Sequence, residues 1–252
     1  MRRNVQGLPQ LISSLLLVAS VALSEPMPPP LPREAVEQSI EDALTFLADS
    51  QNPDGSYGST QRRLQTALSV LALLSQGQTP INAPTSPAPK ALKWLLENTG
   101  ESGFLGDNKF PMESNAVVAL ALSECVGMSG KRDVERKLMQ KTKTALEYAL
   151  QRQDKAVGAD YYGGWKTTHK AEANDRRVTA WYLLMIRSMQ MRGADVRDQA
   201  VDRALDFMEG SQKLRGDRPA PSREDIGGFS YDAAGLPVVS ITNAALAVMN
   251  LY

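Results

Sequence analysis

The sequence predicts an all-α protein, an α/α toroid or curved solenoid of about four outer and inner helix hairpins. Three observations carry that prediction. Four amphipathic segments begin alike, "ALTF" at Ala43, "ALKW" at Ala91, "ALEY" at Ala145 and "ALDF" at Ala204. Each is followed by a Gly-aromatic loop, and each loop by an apolar, Ala-rich helix. A recurrent start with variable spacing is the mark of one supersecondary unit stacked on itself with insertions in its loops.

The elements follow in chain order. An outer helix near 34–50 places Val36, Ile40, Ala43, Leu44 and Leu47 on one face, the 3.6-residue period of an amphipathic helix. The loop "GSYG" at Gly55 leads to an inner helix near 61–76, with "TALSVLALL" from Thr66. The second hairpin has helices near 86–98 and 113–126 around "SGFLG" at Ser102, the inner one carrying "NAVVALAL" from Asn115. The third has helices near 132–152 and 176–192 around "GGWK" at Gly163, with "TAWYLLMI" from Thr179. The fourth has helices near 195–210 and 239–252 around "GGFS" at Gly227, with "NAALAVMN" from Asn243. Helices apolar nearly all round belong inside, their amphipathic partners outside. Tetratricopeptide and ankyrin repeats are excluded by their shorter periods of about 33–34 residues.

Composition bounds the function. The chain has 28 basic and 28 acidic residues, so it lacks the positive surplus a nucleic-acid binder needs to neutralise phosphates. Arg2 and Arg3 precede the apolar run Leu11 to Leu23, and Ala22-Leu23-Ser24 offers small residues for a signal peptidase, which reads as a signal peptide over 1–24. The run is shorter than the roughly 20 residues of a spanning helix, so no permanent membrane span is expected. "EPMPPPLP" then reads as a stiff proline-rich tether over 25–33, with the repeat domain over 34–252. That organisation implies an exported protein, periplasmic or extracellular. The single Cys, Cys125, forbids an internal disulfide and a multi-Cys zinc site. No cofactor is indicated.

The first unit reads Ala43, Phe46, Gln51, Gly55, Tyr57; the third keeps Ala145, Tyr148, Gln153, Gly163, Trp165; the fourth keeps Ala204, Phe207, Gln212, Gly227, Phe229; the second has Thr99 where the Gln stands. This pattern resembles the QW motif of the squalene cyclase and protein prenyltransferase superfamily, over about Glu34 to Tyr252. The resemblance implies an α/α toroid whose QW residues brace its outer shell. Gln51, Gly55, Tyr57, Gln153, Gly163, Trp165, Gln212, Gly227 and Phe229 are therefore assigned a structural role. Physics agrees: the Gln amide can satisfy orphan backbone groups, the Gly permits the turn, and the aromatic covers the next hairpin.

The chemistry that the resemblance implies is incomplete. Prenyltransferases hold zinc with an Asp two residues before a Cys, but Ser123 stands two before Cys125. Protonating cyclases use a DxDD motif before an inner helix. Its counterpart here, "EAND", offers Glu172 and Asp175 as weak catalytic candidates and puts Asn174 where the acid belongs. An amide cannot serve as that acid, and Asp175 has a simpler task as the N-cap of the next helix. Tyr161, Tyr162, Trp165, His169 and Trp181 form an aromatic neighbourhood suited to an apolar or polyisoprenoid ligand, or to a sugar. Asp160 and Glu172 would be the acid pair of a carbohydrate-active toroid. The favoured reading is a non-catalytic exported repeat protein binding such a ligand or a protein partner. The alternatives are an isoprenoid cyclase or transferase relative and a carbohydrate-active enzyme. The apolar last helix predicts either a tightly closed toroid or a homodimer through Val248, Met249 and Leu251. If the export reading is right, N-terminal sequencing of exported material starts at Glu25; finding Met1 retained refutes it.

Overall fold

Punctuation by proline, glycine and polar caps sets the helices. The computed structural model describes residues 32–155, 162–168, 170–171, 173–213, 226–230 and 237–252. Among these, four outer helices are α1 (Arg33–Ser50), α3 (Ala88–Asn98), α5 (Arg132–Arg152) and α7 (Asp198–Glu209). The inner helices are α2 (Arg62–Ser75), α4 (Pro111–Glu124), α6 (Arg176–Met191) and α8 (Val239–Met249). Every helix expected from the repeat is present, its ends shifted by no more than a turn. Pro89 and Pro111 lie in the first turns of α3 and α4, where a missing N–H costs nothing. A two-residue antiparallel ribbon pairs β1 (Trp165–Lys166) with β2 (Asn174–Asp175).

The chain divides into two compact units, Met1–Ala43 and Leu44–Tyr252. In the first, the described residues open α1: Pro32 O accepts from Ala35 N and Val36 N, and Arg33 pairs with Glu37 one turn on. α1 buries none of its residues. The expected signal peptide and most of the tether lie outside the described residues. Among the described residues no helix is long and apolar enough to cross a membrane.

In the second unit the inner helices line up in sequence order, α2 on α4, α4 on α6, α6 on α8. α4 lies between two such neighbours, and Met112 and every residue from Ser114 to Ser123 are buried. Ala116, Ala119 and Ala121 keep its surface shallow, which lets the flanking helices approach. Each later outer helix packs chiefly on the inner helix that precedes it: α3 on α2, α5 on α4, α7 on α6. The stacking unit is therefore offset from the outer-loop-inner order read along the sequence.

The cause of that offset is the QW residues. Gln51 Nε2 donates to Gly55 O in its own loop and to Pro87 O at the start of α3, both at 3.0 Å. Gln153 Nε2 repeats this, donating to Gly163 O at 2.8 Å and to Ala200 O in α7 at 2.7 Å. Gln212 Nε2 donates to Gly227 O at 3.3 Å. One amide thus ties a loop to the following outer helix. The glycine makes room for it. Gly163 has φ 94, and a Cβ there would lie 1.9 Å from Arg203 O in α7. Gly55 and Gly103 make the same approach to Lys90 O and Thr144 O.

The second unit, without a Gln, solves the problem from the other side. Lys141 in α5 occupies the position equivalent to Pro87 and Ala200, four residues before the repeated Ala. Its side chain is 3 % exposed, and Nζ donates to Thr99 O at 2.9 Å, Gly100 O at 3.2 Å and Glu101 Oε1 at 2.7 Å. The donor comes from the outer helix instead of the loop, and the carbonyls are still satisfied.

A second tie runs inward. The backbone N–H two residues after the glycine is met by a polar side chain of the next inner helix. Tyr57 N donates to Thr66 Oγ1 at 2.9 Å, Leu105 N to Asn115 Oδ1 at 2.6 Å, Trp165 N to Thr179 Oγ1 at 3.1 Å and Phe229 N to Thr242 Oγ1 at 2.9 Å. The fourth inner helix is thus in register at Thr242, one residue before the Asn243 read from sequence. In the second unit Leu105, not an aromatic, fills the pocket. Trp165 is fully buried, stacks on Tyr182 at 5.0 Å, and donates from Nε1 to Ala149 O at 2.8 Å. Tyr57 is buried with no partner for its hydroxyl. At the other end Val248 is buried in the chain's own core and Met249 packs against it. The surface expected to meet a second subunit therefore lacks Val248; Leu251 and Leu246 remain exposed.

Gln153→Ala is expected to cost about 1–3 kcal/mol by orphaning the Gly163 carbonyl and removing the second donor to Ala200 O, and Lys141→Ala at least as much. Gln51→Ala should cost less, since Gln51 is only half-buried. Tyr57→Phe should raise stability by up to about 1 kcal/mol by removing an unpaired hydroxyl. Urea denaturation of the four variants tests this ordering, and a costly Tyr57→Phe would contradict it.

Candidate functional site

The inner helices begin at a common polar end, and two carboxyls with shifted titration, Asp54 and Glu113, lie there. At α2, Asp54 accepts from Arg62, Ser56 and, at 3.1 Å, the Trp94 indole. The Arg62 hydrogen bond does most to hold its carboxyl down to about 2. Arg62 also lies 5.0 Å over the Trp94 ring. Arg63 reaches Asn98 O and Gly106 O, both at 2.6 Å, and Asp107 accepts from Leu64 N at 2.9 Å. These contacts close the start of α2, which lacks a side-chain cap of its own. A polar recess of about 340 Å³ opens beside Arg62, Trp94 and Asp107.

At α4 and α6 the arrangement differs. Glu113, in the first turn of α4, is half-buried, with Arg177 Nη2 at 3.3 Å from its Oε2. Burial is the leading cause that pushes its carboxyl above the ordinary range. The nearby Asp175 adds to the shift, while Arg177 and a hydrogen bond from Trp181 oppose it. Asp175 caps α6, accepting from Val178 N at 3.0 Å, as its position before "RRVTAWYLL" predicts. Met112 N donates to Thr167 O at 3.4 Å, tying α4 to the loop beyond β1. A recess of about 300 Å³ lies alongside, lined by Met112, Arg152, Asp154, Lys166 and Thr168.

The remaining sequence candidates fall elsewhere. Asp160, Tyr161, His169 and Glu172 lie outside the described residues. The described aromatics face three directions. Tyr162 lies 5.9 Å from the Arg203 guanidinium, Trp165 is sealed in the core, and Trp181 bonds to Glu113. Cys125 is fully buried, and desolvation first pushes its thiol up to about 12, where no thiolate is available for ligation or attack. Among the described residues no group of three or more His, Cys, Asp or Glu is placed to hold a metal. Glu113 was missed by motif reading because it belongs to no pattern. Its one signal was a lone acid between Pro111 and the apolar run Ala116 to Leu122.

Repeated helix hairpins, inner helices side by side and polar inner-helix starts define an α/α-toroid repeat protein. No family model matches the chain, and no curated protein matches it in sequence. Solved structures do. One is the Candida albicans protein geranylgeranyltransferase-I complexed with GGPP, with TM-score 0.54 and 14% identity. The match covers 82% of this chain and 59% of that one. Another is a possible member of the GH105 family from Salmonella enterica serovar Paratyphi A, with TM-score 0.56 and 16% identity, covering 87% of this chain and 65% of that one. Both are α/α toroids, and the chain spans under two thirds of the length of either. At these identities the likeness shows the fold.

The Glu113 environment makes a test by pH. Arg177→Met removes the nearest cation, so the Glu113 carboxyl should titrate still higher, followed by ¹³C NMR of the side-chain carboxyls. A group with its folded-state pKa above its unfolded value stabilises the fold at low pH, and that contribution fades as pH rises through the folded value. Glu113→Gln, a mimic of the neutral carboxyl, should therefore remove part of the stability loss that the protein shows on going from acid toward neutral pH. An unchanged Glu113 titration in Arg177→Met would contradict the assignment.

Proposed function

We propose that the chain is an exported, non-catalytic toroid protein of prenyltransferase and squalene-cyclase type that binds an apolar ligand or a protein partner. The observation that carries this reading is the engagement of Asp175. Of the two acids in the cyclase-like segment it is the one described, and its carboxylate caps α6 through Val178 N while Asn174 holds the acid position. An acid whose carboxylate is engaged with a backbone N–H at a helix start is committed to capping and is not aimed at a bound alkene. The apolar partner surface is the free side of α8 and the residues after it, Leu246 and Leu251, available to another protein or to a second subunit. Incubation with squalene, oxidosqualene and prenyl diphosphates should give no product by mass spectrometry, while native mass spectrometry with lipid extracts should retain a bound species. Turnover abolished by Asp175→Asn would overturn this reading.

A carbohydrate-active reading is favoured by one observation, Glu113. A carboxyl that burial pushes toward its neutral form, with a second carboxyl, Asp175, close by, is the kind of acid pair that glycoside cleavage uses. Oligosaccharide cleavage, read by release of reducing ends and lost in Glu113→Gln, would establish it in place of the binding role; no cleavage by the wild type would remove it.

A further inference from the structure

A groove of about 470 Å³ runs between α3 and α5. Leu92, Leu96 and Val134 form its apolar part, and its rim carries Lys90, Lys93, Lys131 and Lys137 against Glu97 and Asp133. Glu97 already faces Lys93 at 3.8 Å. In a chain of zero net charge, this is a local positive surplus around an apolar floor. The complement is present in the same sequence. α1 carries one base, Arg33, against Glu34, Glu37, Glu41, Asp42 and Asp49. Its stripe of Val36, Ile40 and Leu44 is flanked by Glu37 and Glu41, and none of these side chains is buried, while Leu47 at the end of the stripe packs against the chain's own core. Phe46 is 69 % exposed. The other outer helices cover their stripes on a preceding inner helix, and no inner helix precedes α1 among the described residues.

We propose that α1 of a second copy of this chain occupies the α3–α5 groove, its apolar stripe on Leu96 and Val134 and its acids against the lysine rim. At 1.5 Å per residue α1 is about 27 Å long, enough to cover the roughly 16 Å of α3. Reciprocal exchange gives the self-complementary interface of a two-fold dimer and doubles the area buried by a single helix, toward the roughly 1,200 Å² of stable interfaces. This contact goes beyond the partner-binding reading and uses none of the α8 surface.

Sedimentation velocity of the purified chain at micromolar concentration tests it. The wild type should be a dimer that weakens as salt rises. Lys90→Glu with Lys137→Glu, and separately Glu37→Lys with Glu41→Lys, should each weaken it at least tenfold with an unchanged circular dichroism spectrum. Combining all four substitutions in one chain exchanges the charges and should restore the dimer. A chain that stays monomeric overturns the proposal. So does a dimer that survives both reversals, one the combined variant fails to restore, or one lost only in Leu246→Glu with Leu251→Glu.

Discussion

A buried donor between each loop and the outer helix that follows it is the constraint on which the rest of this fold depends. Tight loops leave backbone carbonyls that cannot reach water once the hairpins stack, and a helix-start carbonyl, already bonded within its helix, keeps a second lone pair for a further donor. Gln153 satisfies Gly163 O and Ala200 O with one amide nitrogen, because the two carbonyls converge. They converge because Gly163 has no side chain to hold α7 away. The glycine and the glutamine are therefore one device. A side chain at the glycine pushes the outer helix off, and loss of the glutamine leaves the convergence without a partner. Lys141 shows that what matters is a donor at this node and not the residue that supplies it, since an ammonium reaching from the outer helix serves where the loop offers Thr99.

Much of this was legible because the device is local in sequence. Gln, Gly and aromatic recur at readable offsets from an Ala that starts each outer helix, and period alone separates helices buried all round from helices buried on one side. The inward tie was half legible. Thr66, Asn115 and Thr179 head the inner helices in the expected register, yet "TN" at Thr242 and Asn243 offered two hydroxyl- or amide-bearing residues, and only geometry selects Thr242. Lys141 was not legible at all. A lysine in a strongly charged amphipathic helix looks like its solvated neighbours, and its burial follows from where Thr99 and Gly100 present their carbonyls 40 residues away.

The candidate site was less legible for the same reason. Sequence motifs locate chemistry when the reacting groups are neighbours in the chain. Here Glu113 and Arg177 lie on different hairpins and meet only because α4 and α6 pack side by side from a common end. The aromatic neighbourhood failed in the opposite sense. Tyr162, Trp165 and Trp181 are close in sequence, but a loop followed by a helix sends them outward, into the core and toward Glu113.

The distribution of free polar groups narrows where function can reside. The staple consumes the Gln amides, the inward tie consumes the Thr and Asn side chains at the inner-helix starts, and Asp175 and Asp107 are spent on helix N-termini. Among the described residues, two regions outside these duties bear most on function. One is the Glu113 corner, where a carboxyl is kept in a half-buried place although burial disfavours its charge. The other is the lysine-rimmed groove between α3 and α5, whose charges answer no need of the stack. Residues that a repeat does not require, placed at a cost or in surplus, are where selection for something other than folding leaves its trace.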